Sequence, residues 1–309
     1  MMADNPQFVW VDGKLVAWND ATIHITLLGT SSVSSVFEGI RAYWNSETHQ
    51  LFVFHLDAHL VRFAQSIRLM RMKQIFSRAQ LRDAVIELLR ANQYAQDVYI
   101  RPFAFIESGM FGSAPDAAAR IVISPSFMPT RLKSGKMAHA CISSWSRISD
   151  NVMPPRVKAS SNYLNSRYAS EEARRNGYDI ALILNPNGKV AEAPGACLMF
   201  VRDGKIITPT VTSGILESIT RATLIQLCRE VLQVEVIERE VDRTELYVAQ
   251  EAFLCGTGAE ITPIASVDRF TLGDGNIGPL TAQVENLYHN LVRGIDPRYA
   301  EWRTQVSPT

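Results

Sequence analysis

Three turn dipeptides divide the chain into short segments and limit the folds open to it. Asp12-Gly13 lies within a stretch, Phe8 to Trp18, in which apolar and polar residues alternate, and Asn187-Gly188 and Asp203-Gly204 follow one another closely in the second half of the chain. Such dipeptides are typical of tight β-hairpins, because they accept the positive backbone angles of a two-residue turn. Hairpins join antiparallel strands, whereas parallel strands need a longer crossover between them. The pattern therefore favours an α+β fold over a regularly wound parallel sheet.

Helices are predicted where apolar residues recur every three or four positions. Asp57 and Ser77 are expected to cap the first two helices, and others should begin near Asn162, Ser218 and Pro279.

Period-two alternation predicts strands over Phe37 to Tyr43 and over Val98 to Ile106. In the second of these strands Tyr99 and Arg101 share one face with Phe103 and Phe105. An arginine among aromatic residues is unusual on a strand.

The segment from Ser126 to Lys136 is of mixed polarity and contains Pro129, which is typical of a connection between domains. We therefore predict a small α+β domain over residues 1–125, a connection over 126–136 and a large α+β domain over 137–309.

Composition excludes several classes of protein. The 309 residues include 31 basic and 31 acidic side chains, and 47% of them are hydrophobic. Disordered chains have fewer apolar residues, and dedicated nucleic-acid binders have a basic excess. No apolar run reaches the ~18 residues that a membrane span needs, and the first residues lack a signal sequence. We expect a cytoplasmic protein that binds neither nucleic acid nor membrane.

No metal site is predicted. The four cysteines are widely spaced and form no CxxC pair. His55 and His59 lie one helical turn apart, but the glutamate of a zinc-protease motif is missing between them.

Lysine is scarce, so each lysine can be considered by itself. Seven of the 31 basic residues are lysines and the other 24 are arginines. Lysine can form a Schiff base with a carbonyl group, whereas arginine holds carboxylates and phosphates with its planar guanidinium. Six lysines lie beside turn glycines, in the polar connection or at a helix end. Lys158 precedes the small residues Ala159-Ser160-Ser161, which would let a ligand approach, although an ordinary loop lysine remains the alternative on position alone.

Two further segments could meet a ligand. Ser218-Ile219-Thr220 opens a helix, and the N–H groups at a helix N-terminus suit a phosphate, with simple capping as the alternative. Gly256-Thr257-Gly258 follows an apolar strand, where glycine lets the backbone approach a ligand closely, with a plain turn as the alternative.

Taken together, these segments resemble the branched-chain amino acid aminotransferases, the L-specific group of fold type IV pyridoxal-phosphate (PLP) enzymes. The resemblance runs from about Trp10 to about Val306 and implies a two-domain, D-amino acid aminotransferase-like α+β architecture with PLP as the cofactor. The strings that carry it, in the family's order, are Val36-Phe37-Glu38-Gly39-Ile40-Arg41, Tyr99-Ile100-Arg101-Pro102, Lys158-Ala159-Ser160-Ser161-Asn162-Tyr163-Leu164, Ile219-Thr220-Arg221 and Gly256-Thr257-Gly258-Ala259-Glu260-Ile261-Thr262-Pro263.

The resemblance implies a role for each residue at a matching position. Lys158 would bond covalently to the cofactor and then move the proton of the substrate Cα. Glu192 would keep the pyridine nitrogen protonated, and Tyr163 would hydrogen-bond the phenolic oxygen. The other cofactor contacts would be Arg62, Ile219, Thr220 and Thr257 at the phosphate and Leu216 on the ring face.

On the substrate side, the resemblance implies one pocket for two kinds of side chain. Arg101 would meet the distal carboxylate of glutamate, while apolar groups beside Tyr99 would accept an aliphatic side chain. The backbone of Thr257 and Gly258 would bind the α-carboxylate. The remaining substrate residues would be Phe37, Gly39, Arg41 and Met110.

The reaction implied is a ping-pong transamination from leucine, isoleucine or valine to 2-oxoglutarate, in a homodimer or dimer-based assembly. Ser32-Val33 replaces the family's Tyr-Gly pair, and Ser218 replaces a glycine. The family's small-residue and Glu-Asn stretch after Glu192 reads Ala193-Pro194-Gly195-Ala196-Cys197 here. These departures leave open an R-amine or D-amino acid transaminase or an aminodeoxychorismate-type lyase. A binding protein without activity is the alternative outside the enzymes.

Overall fold

Two β-sheets organise the chain, one in each of two units. The computed structural model of the protein describes residues 5–27, 33–106 and 118–306. Unit 1 consists of Met1–Thr130, Val157–Ser161 and Asn290–Thr309, and unit 2 consists of Arg131–Arg156 and Asn162–His289.

This division differs from the predicted domains in two segments. The first boundary, at residue 130, falls within the predicted connection. Residues 157–161 and 290–309, both expected in the large domain, belong to unit 1 instead. Short segments that return to an earlier unit do not differ in composition from their neighbours, so the sequence gives no sign of them.

The strands are numbered along the chain. Those of unit 1 are β1 (Phe8–Val11), β2 (Lys14–Ala17), β3 (Ser35–Phe37), β4 (Ile40–Asn45), β5 (Gln50–Phe54), β6 (Val98–Phe105), β7 (Arg120–Phe127) and β17 (Arg303–Val306). Those of unit 2 are β8 (Ala138–Ser146), β9 (Ile180–Leu184), β10 (Val190–Ala193), β11 (Ala196–Arg202), β12 (Lys205–Thr208), β13 (Val236–Glu238), β14 (Glu251–Gly256), β15 (Glu260–Val267) and β16 (Phe270–Thr271).

The helices are α1 (Leu56–Leu69), α2 (Arg78–Asn92), α3 (Tyr163–Arg175), α4 (Ile219–Glu230) and α5 (Pro279–Val292). Ser77 caps α2 through a reciprocal capping box with Gln80, as predicted. The prediction that Asp57 caps α1 is wrong, because His55 is the N-cap in a left-handed conformation and Asp57 lies in the first turn. Among the helices of the described residues, none has the length and apolar content to cross a membrane.

The sheet of unit 1 has the order β17-β5-β4-β6-β7-β1-β2, with β3 also paired to β6. The predicted hairpin at Asp12-Gly13 is confirmed, and both residues have positive φ angles of 44° and 98°. The apolar faces of α1 and α2, with Leu60, Phe63 and Leu88 fully buried, pack into one core with the sheet.

The predicted strand from Phe37 to Tyr43 is interrupted, since β3 ends at Phe37 and β4 begins at Ile40. Both pieces pair with β6. The Glu38 N–H still donates to the Pro102 carbonyl oxygen of β6 at 2.8 Å, but proline has no N–H to return, so the ladder is interrupted at this point. The Glu38 side chain contacts His59 and Arg62 of α1. Gly39 lies at the break, and a Cβ there would clash with the Tyr99 hydroxyl group unless the Tyr99 side chain moved.

Six strands of unit 2 form a closed ring. The sheet order is β10-β9-β8-β15-β14-β11-β12-β13, and β10 pairs with β11 as well as with β9. The short strand β10 therefore closes the ring β8-β9-β10-β11-β14-β15. Closure leaves these strands without an open edge and encloses an apolar core that includes Leu182, Leu198 and Leu254.

The segment around Lys158 joins the sheet of unit 1. Val36 and Ala159 form an isolated antiparallel bridge, and the Phe37 N–H donates to the Lys158 carbonyl oxygen at 3.0 Å. Val157 and Ala159 are buried in the core of that unit. These contacts hold Lys158 directly beside the end of β3.

A buried carboxylate ties the C-terminal segment to the same sheet. Asp97 accepts hydrogen bonds from Arg293 Nη1 and Nη2 at 2.9 and 2.6 Å, and from the Trp44 N–H at 2.9 Å. Arg41 Nη2 lies 3.9 Å from the same carboxylate. An ionised carboxylate can be buried only with such compensation.

Replacement of Asp97 by asparagine should therefore destabilise the protein. Asp97→Asn leaves Arg293 without its counter-ion, and we expect the free energy of unfolding to fall by about 3 kcal/mol. Asp57→Asn is the control, because Asp57 is 74% exposed in its pair with Arg82 and should contribute less than ~1 kcal/mol. Urea denaturation of both variants tests this, and equal losses would contradict it.

Candidate functional site

In unit 1, the candidate site is organised around a carboxylate with no solvent exposure. Glu38 accepts hydrogen bonds from Arg62 Nε at 2.7 Å and Nη2 at 2.8 Å. His59 Nδ1 lies 2.8 Å from the same carboxylate, and the Gly39 N–H donates to it at 3.2 Å. The two hydrogen bonds to Glu38 fix the plane of the Arg62 guanidinium, which is buried and not solvated.

Electrostatics keeps this carboxylate charged. Burial alone would raise the pKa of Glu38, but the charge and hydrogen bonds of Arg62, with a smaller effect of His59, outweigh burial and hold the pKa well below its usual value. Burial lowers the pKa of His59, although Glu38 acts in the opposite direction. Near neutral pH the cluster therefore consists of an ionised Glu38, a charged Arg62 and a neutral His59.

Lys158 and Arg101 contact the same aromatic ring. Lys158 Nζ lies 4.8 Å from the centroid of the Phe37 ring, and the guanidinium carbon of Arg101 lies 5.0 Å from that centroid. The Lys158 N–H donates to Ser66 Oγ of α1 at 3.3 Å, which fixes the backbone that carries the amine. An amine and a guanidinium thus lie against one aromatic ring.

Lys158 also differs from the other lysines in its surroundings. Five of them, at positions 14, 73, 133, 136 and 205, are exposed, and Lys189 is in an ion pair with Asp242 at 2.6 Å. Lys158 is only partly exposed.

The other predicted substrate residues of unit 1 lie on or beside β4 and β6. Gly39 lies against the Tyr99 hydroxyl group, and Arg101 contacts the ring of Phe103 at 5.3 Å as well as that of Phe37. Arg41 pairs with Tyr99 across the strands, but its buried guanidinium points toward Asp97 and the ring of Tyr43. Met110 and Ser32 lie outside the described residues.

In unit 2, Glu192 lies on β10, the strand that closes the ring, and is 4% exposed. The pairing of β10 with β9 shifts by one residue between Val190 and Glu192, which is a β-bulge. Val190 and Ala193 are three residues apart, yet both belong to the apolar core. Regular alternation would not allow this, so the bulge turns Glu192 away from that core.

Three groups hold the Glu192 carboxylate. Arg147 Nη2 lies 2.7 Å from Oε1, and the Leu216 N–H donates to Oε2 at 3.2 Å. Cys197 Sγ is 3.8 Å from Oε2 and 3.9 Å from the Leu216 carbonyl oxygen. Burial, followed by the charge of Glu192, raises the pKa of the Cys197 thiol, so it remains protonated and can donate a weak hydrogen bond.

The helix α4 begins close to this cluster in sequence, and its N-terminus is firmly anchored. Ser218 caps the helix by accepting from the Arg221 N–H at 3.2 Å. The buried Arg221 side chain donates to the Pro209 carbonyl oxygen at 2.8 Å and to Glu238 at 2.9 Å. The N–H groups of Ile219 and Thr220, in the first turn, have no acceptor within the helix and can serve an anion.

Three further predicted residues, Tyr163, Thr257 and Gly258, lie near β10 or at the end of β14, which pairs with β11. A Cβ on Gly195, in the turn between these strands, would lie 3.9 Å from Cε1 of Tyr163. Thr257 follows directly after β14, whose Cys255 is paired with Cys197 of β11. Gly258 next to it is exposed, with open space around its Cα.

Sequence reasoning missed Glu38, His59 and Arg147. His59, Arg62 and Ser66 are buried polar residues at helical spacing on α1, and this spacing was a usable signal. Arg147 follows the end of β8 and offers no such pattern.

Residues 35–267 match the family of class IV aminotransferases, an enzyme class that moves amino groups, and the chain belongs to this family. The probable branched-chain-amino-acid aminotransferase of Aquifex aeolicus (strain VF5) is 39% identical over 300 residues, 97% of this chain and 96% of that protein.

Solved structures agree with this assignment. The holo-form branched-chain amino acid aminotransferase of Thermobaculum terrenum, with PLP, has a TM-score of 0.96 and 50% identity, covering 98% of this chain and 99% of its own. The branched-chain amino acid aminotransferase of T.th., complexed with N-(5'-phosphopyridoxyl)-L-glutamate, has a TM-score of 0.91 and 34% identity, covering 98% and 99%. The predicted α+β architecture of fold type IV is confirmed.

The stability of the protein should decrease on mild acidification because of a half-buried histidine, His55. Burial, and then the neighbouring His59, lower the pKa of His55 from 6.5 to about 4. As the pH falls, His55 is therefore protonated in the unfolded chain before it is protonated in the folded one. Its contribution to the free energy of unfolding is complete above pH 6.5 and is lost as the pH falls toward 4. A shift of this size corresponds to a loss of at most ~3 kcal/mol.

Urea denaturation between pH 7 and pH 4.5 measures this effect. His55→Asn should flatten the pH dependence, and asparagine tolerates the left-handed backbone of this position. His49→Asn is the control, because His49 has the same φ of 51° and is exposed. The expectation is wrong if both variants retain the pH slope of the original protein.

Proposed function

We propose that the protein is a PLP-dependent transaminase that transfers the amino group of branched-chain L-amino acids to 2-oxoglutarate. The observation that carries this proposal is the contact of both Lys158 and Arg101 with the ring of Phe37. A reacting amine, an apolar surface and a receptor for a distal carboxylate are thereby combined in one unit.

Each of these groups has a distinct task. Lys158 is the amine that bonds to the cofactor and later takes the proton from the substrate Cα, because lysine can act both as nucleophile and as base. The Phe37 ring provides apolar area for the side chain of leucine, isoleucine or valine. Arg101 provides the guanidinium that glutamate and 2-oxoglutarate need for their second carboxylate. We assign Gly39, Arg41, Tyr99 and Met110 to the same substrate pocket, with Arg41 in a supporting position.

The donor set of unit 2 fits PLP. The buried Glu192 pairs with Arg147 at 2.7 Å, and an ionised carboxylate can keep a pyridine nitrogen protonated. Bound PLP supplies an electron sink for the charge left at Cα when its proton is removed. Tyr163 is assigned to the phenolic oxygen, and Leu216, whose N–H is fixed by Glu192, is assigned to the ring face.

The phosphate is assigned to groups that favour an anion. The first-turn N–H groups of Ile219 and Thr220 combine unsatisfied donors with the positive end of the α4 dipole. Arg62 adds a guanidinium whose orientation Glu38 fixes, and Thr257 adds a hydroxyl group. The backbone of Thr257 and Gly258 is assigned to the substrate α-carboxylate.

Relatives support the substrate class. The proteins compared above are named branched-chain aminotransferases, and one of them is complexed with a glutamate derivative of the cofactor. We extend this to the present chain and place the enzyme in the cytoplasm as a homodimer or a dimer-based oligomer.

Replacement of Lys158 tests the cofactor assignment. Lys158→Ala, purified with PLP, should lose the visible absorption band of the covalently bound cofactor and lower kcat for L-leucine and 2-oxoglutarate by about 10³-fold or more, since general base and nucleophile are removed together. Lys136→Ala, at an exposed lysine, should behave like the original protein. Retention of both band and turnover in Lys158→Ala would refute the assignment.

Replacement of Arg101 tests the dual-substrate pocket. Arg101→Ala should raise KM for 2-oxoglutarate and glutamate by about 10- to 100-fold, because a charge-assisted pair is lost, and change KM for leucine little. The control is the half-reaction with L-leucine, followed as bleaching of the cofactor band. An equal loss for both substrates would contradict the role of Arg101. Bleaching by D-alanine or an R-amine, and not by L-leucine, would instead contradict the substrate class.

A further inference from the structure

Arg147 reaches three different elements of unit 2 with three different nitrogens. Nη2 lies 2.7 Å from Glu192 Oε1 on β10, and Nε donates to the Gly214 carbonyl oxygen at 3.1 Å. Nη1 donates to Asn165 Oδ1, in the first turn of α3, at 3.4 Å. The side chain is almost fully buried, so water does not compete for these contacts.

The elements joined in this way carry residues assigned to the cofactor. Gly214 lies two residues before Leu216, whose own N–H donates to Glu192 Oε2 at 3.2 Å. Asn165 lies two residues after Tyr163 on the same helix. Arg147 and Leu216 thus bind different oxygens of one carboxylate and determine its orientation.

We propose that Arg147 is a positioning residue for Glu192, which fixes the orientation and the charge of the carboxylate that meets the pyridine nitrogen. This inference rests on the proposed function. Without a cation, a carboxylate at this depth is strongly destabilised and takes up a proton. A protonated Glu192 could no longer stabilise a protonated pyridine ring.

If Arg147 acts through Glu192, its replacement should lower the affinity for a ligand that has a ring nitrogen and not for one that lacks it. The affinity of the apoprotein for PLP should fall by about 10- to 100-fold in Arg147→Met, by analogy with the loss of groups that orient metal-binding side chains. Affinity for 1-deaza-PLP, which has carbon in place of the ring nitrogen, should change little. A purely structural defect would weaken both compounds equally.

Titration of the apoproteins with each compound, followed by fluorescence quenching, makes the comparison without any turnover. Arg147→Lys should give an intermediate loss, because lysine keeps the charge but has no planar fork to reach three acceptors at once. It also provides the comparison if Arg147→Met does not fold. In a Glu192→Gln background, Arg147→Met should cost much less PLP affinity, since the two residues act through one contact.

The control is Arg156→Met in the same unit. Arg156 is 51% exposed and pairs with Asp150 and Glu217 at 3.6 and 3.1 Å, and none of these partners is Glu192. It should bind both compounds as the original protein does. Equal losses for the two compounds in both Arg147 variants, or no loss, would overturn the role of Arg147 alone. Failure of the original protein to bind PLP would overturn the proposed function and this role with it.

Discussion

Burial of ionised carboxylates is the constraint on which the candidate residues of each unit depend. A carboxylate can stay charged away from water only when a cation and hydrogen-bond donors compensate the lost hydration. Glu38 is compensated by Arg62, and Glu192 by Arg147. In each case the arginine belongs to a different element from the carboxylate, so the ion pair also determines where a helix or strand end lies relative to its sheet.

Local sequence signals located the elements well, because they arise from short-range physical causes. The turn at Asp12-Gly13 and the cap at Ser77 each depend on residues that are near one another in the chain. The scarcity of lysine pointed to Lys158 before any contact was known. Arg147, in contrast, finds its partner 45 positions away on another strand, and no periodicity connects the two residues.

Two local predictions failed because tertiary contacts overrode propensity. Glu38 was expected inside a continuous strand, but it lies opposite Pro102 of β6, which has no N–H to donate, and the ladder is interrupted there. Asp57 is a good helix cap by type, yet the helix begins earlier, where the His55 N–H bonds to the Trp302 carbonyl oxygen. The departure over residues 193–197 was visible in the sequence, but only the structure brings the Cys197 thiol to Glu192.

The return of residues 157–161 to unit 1 limits how this protein can be divided. The backbone passes from one unit to the other four times, at residues 130, 156, 161 and 289. Neither unit is therefore a continuous stretch of chain, and a truncation that kept only the first 130 residues would lack both Lys158 and the C-terminal strand β17. Such a fold does not lend itself to domain shuffling, so an ancestor could vary its specificity by point substitutions far more readily than by exchange of a whole module.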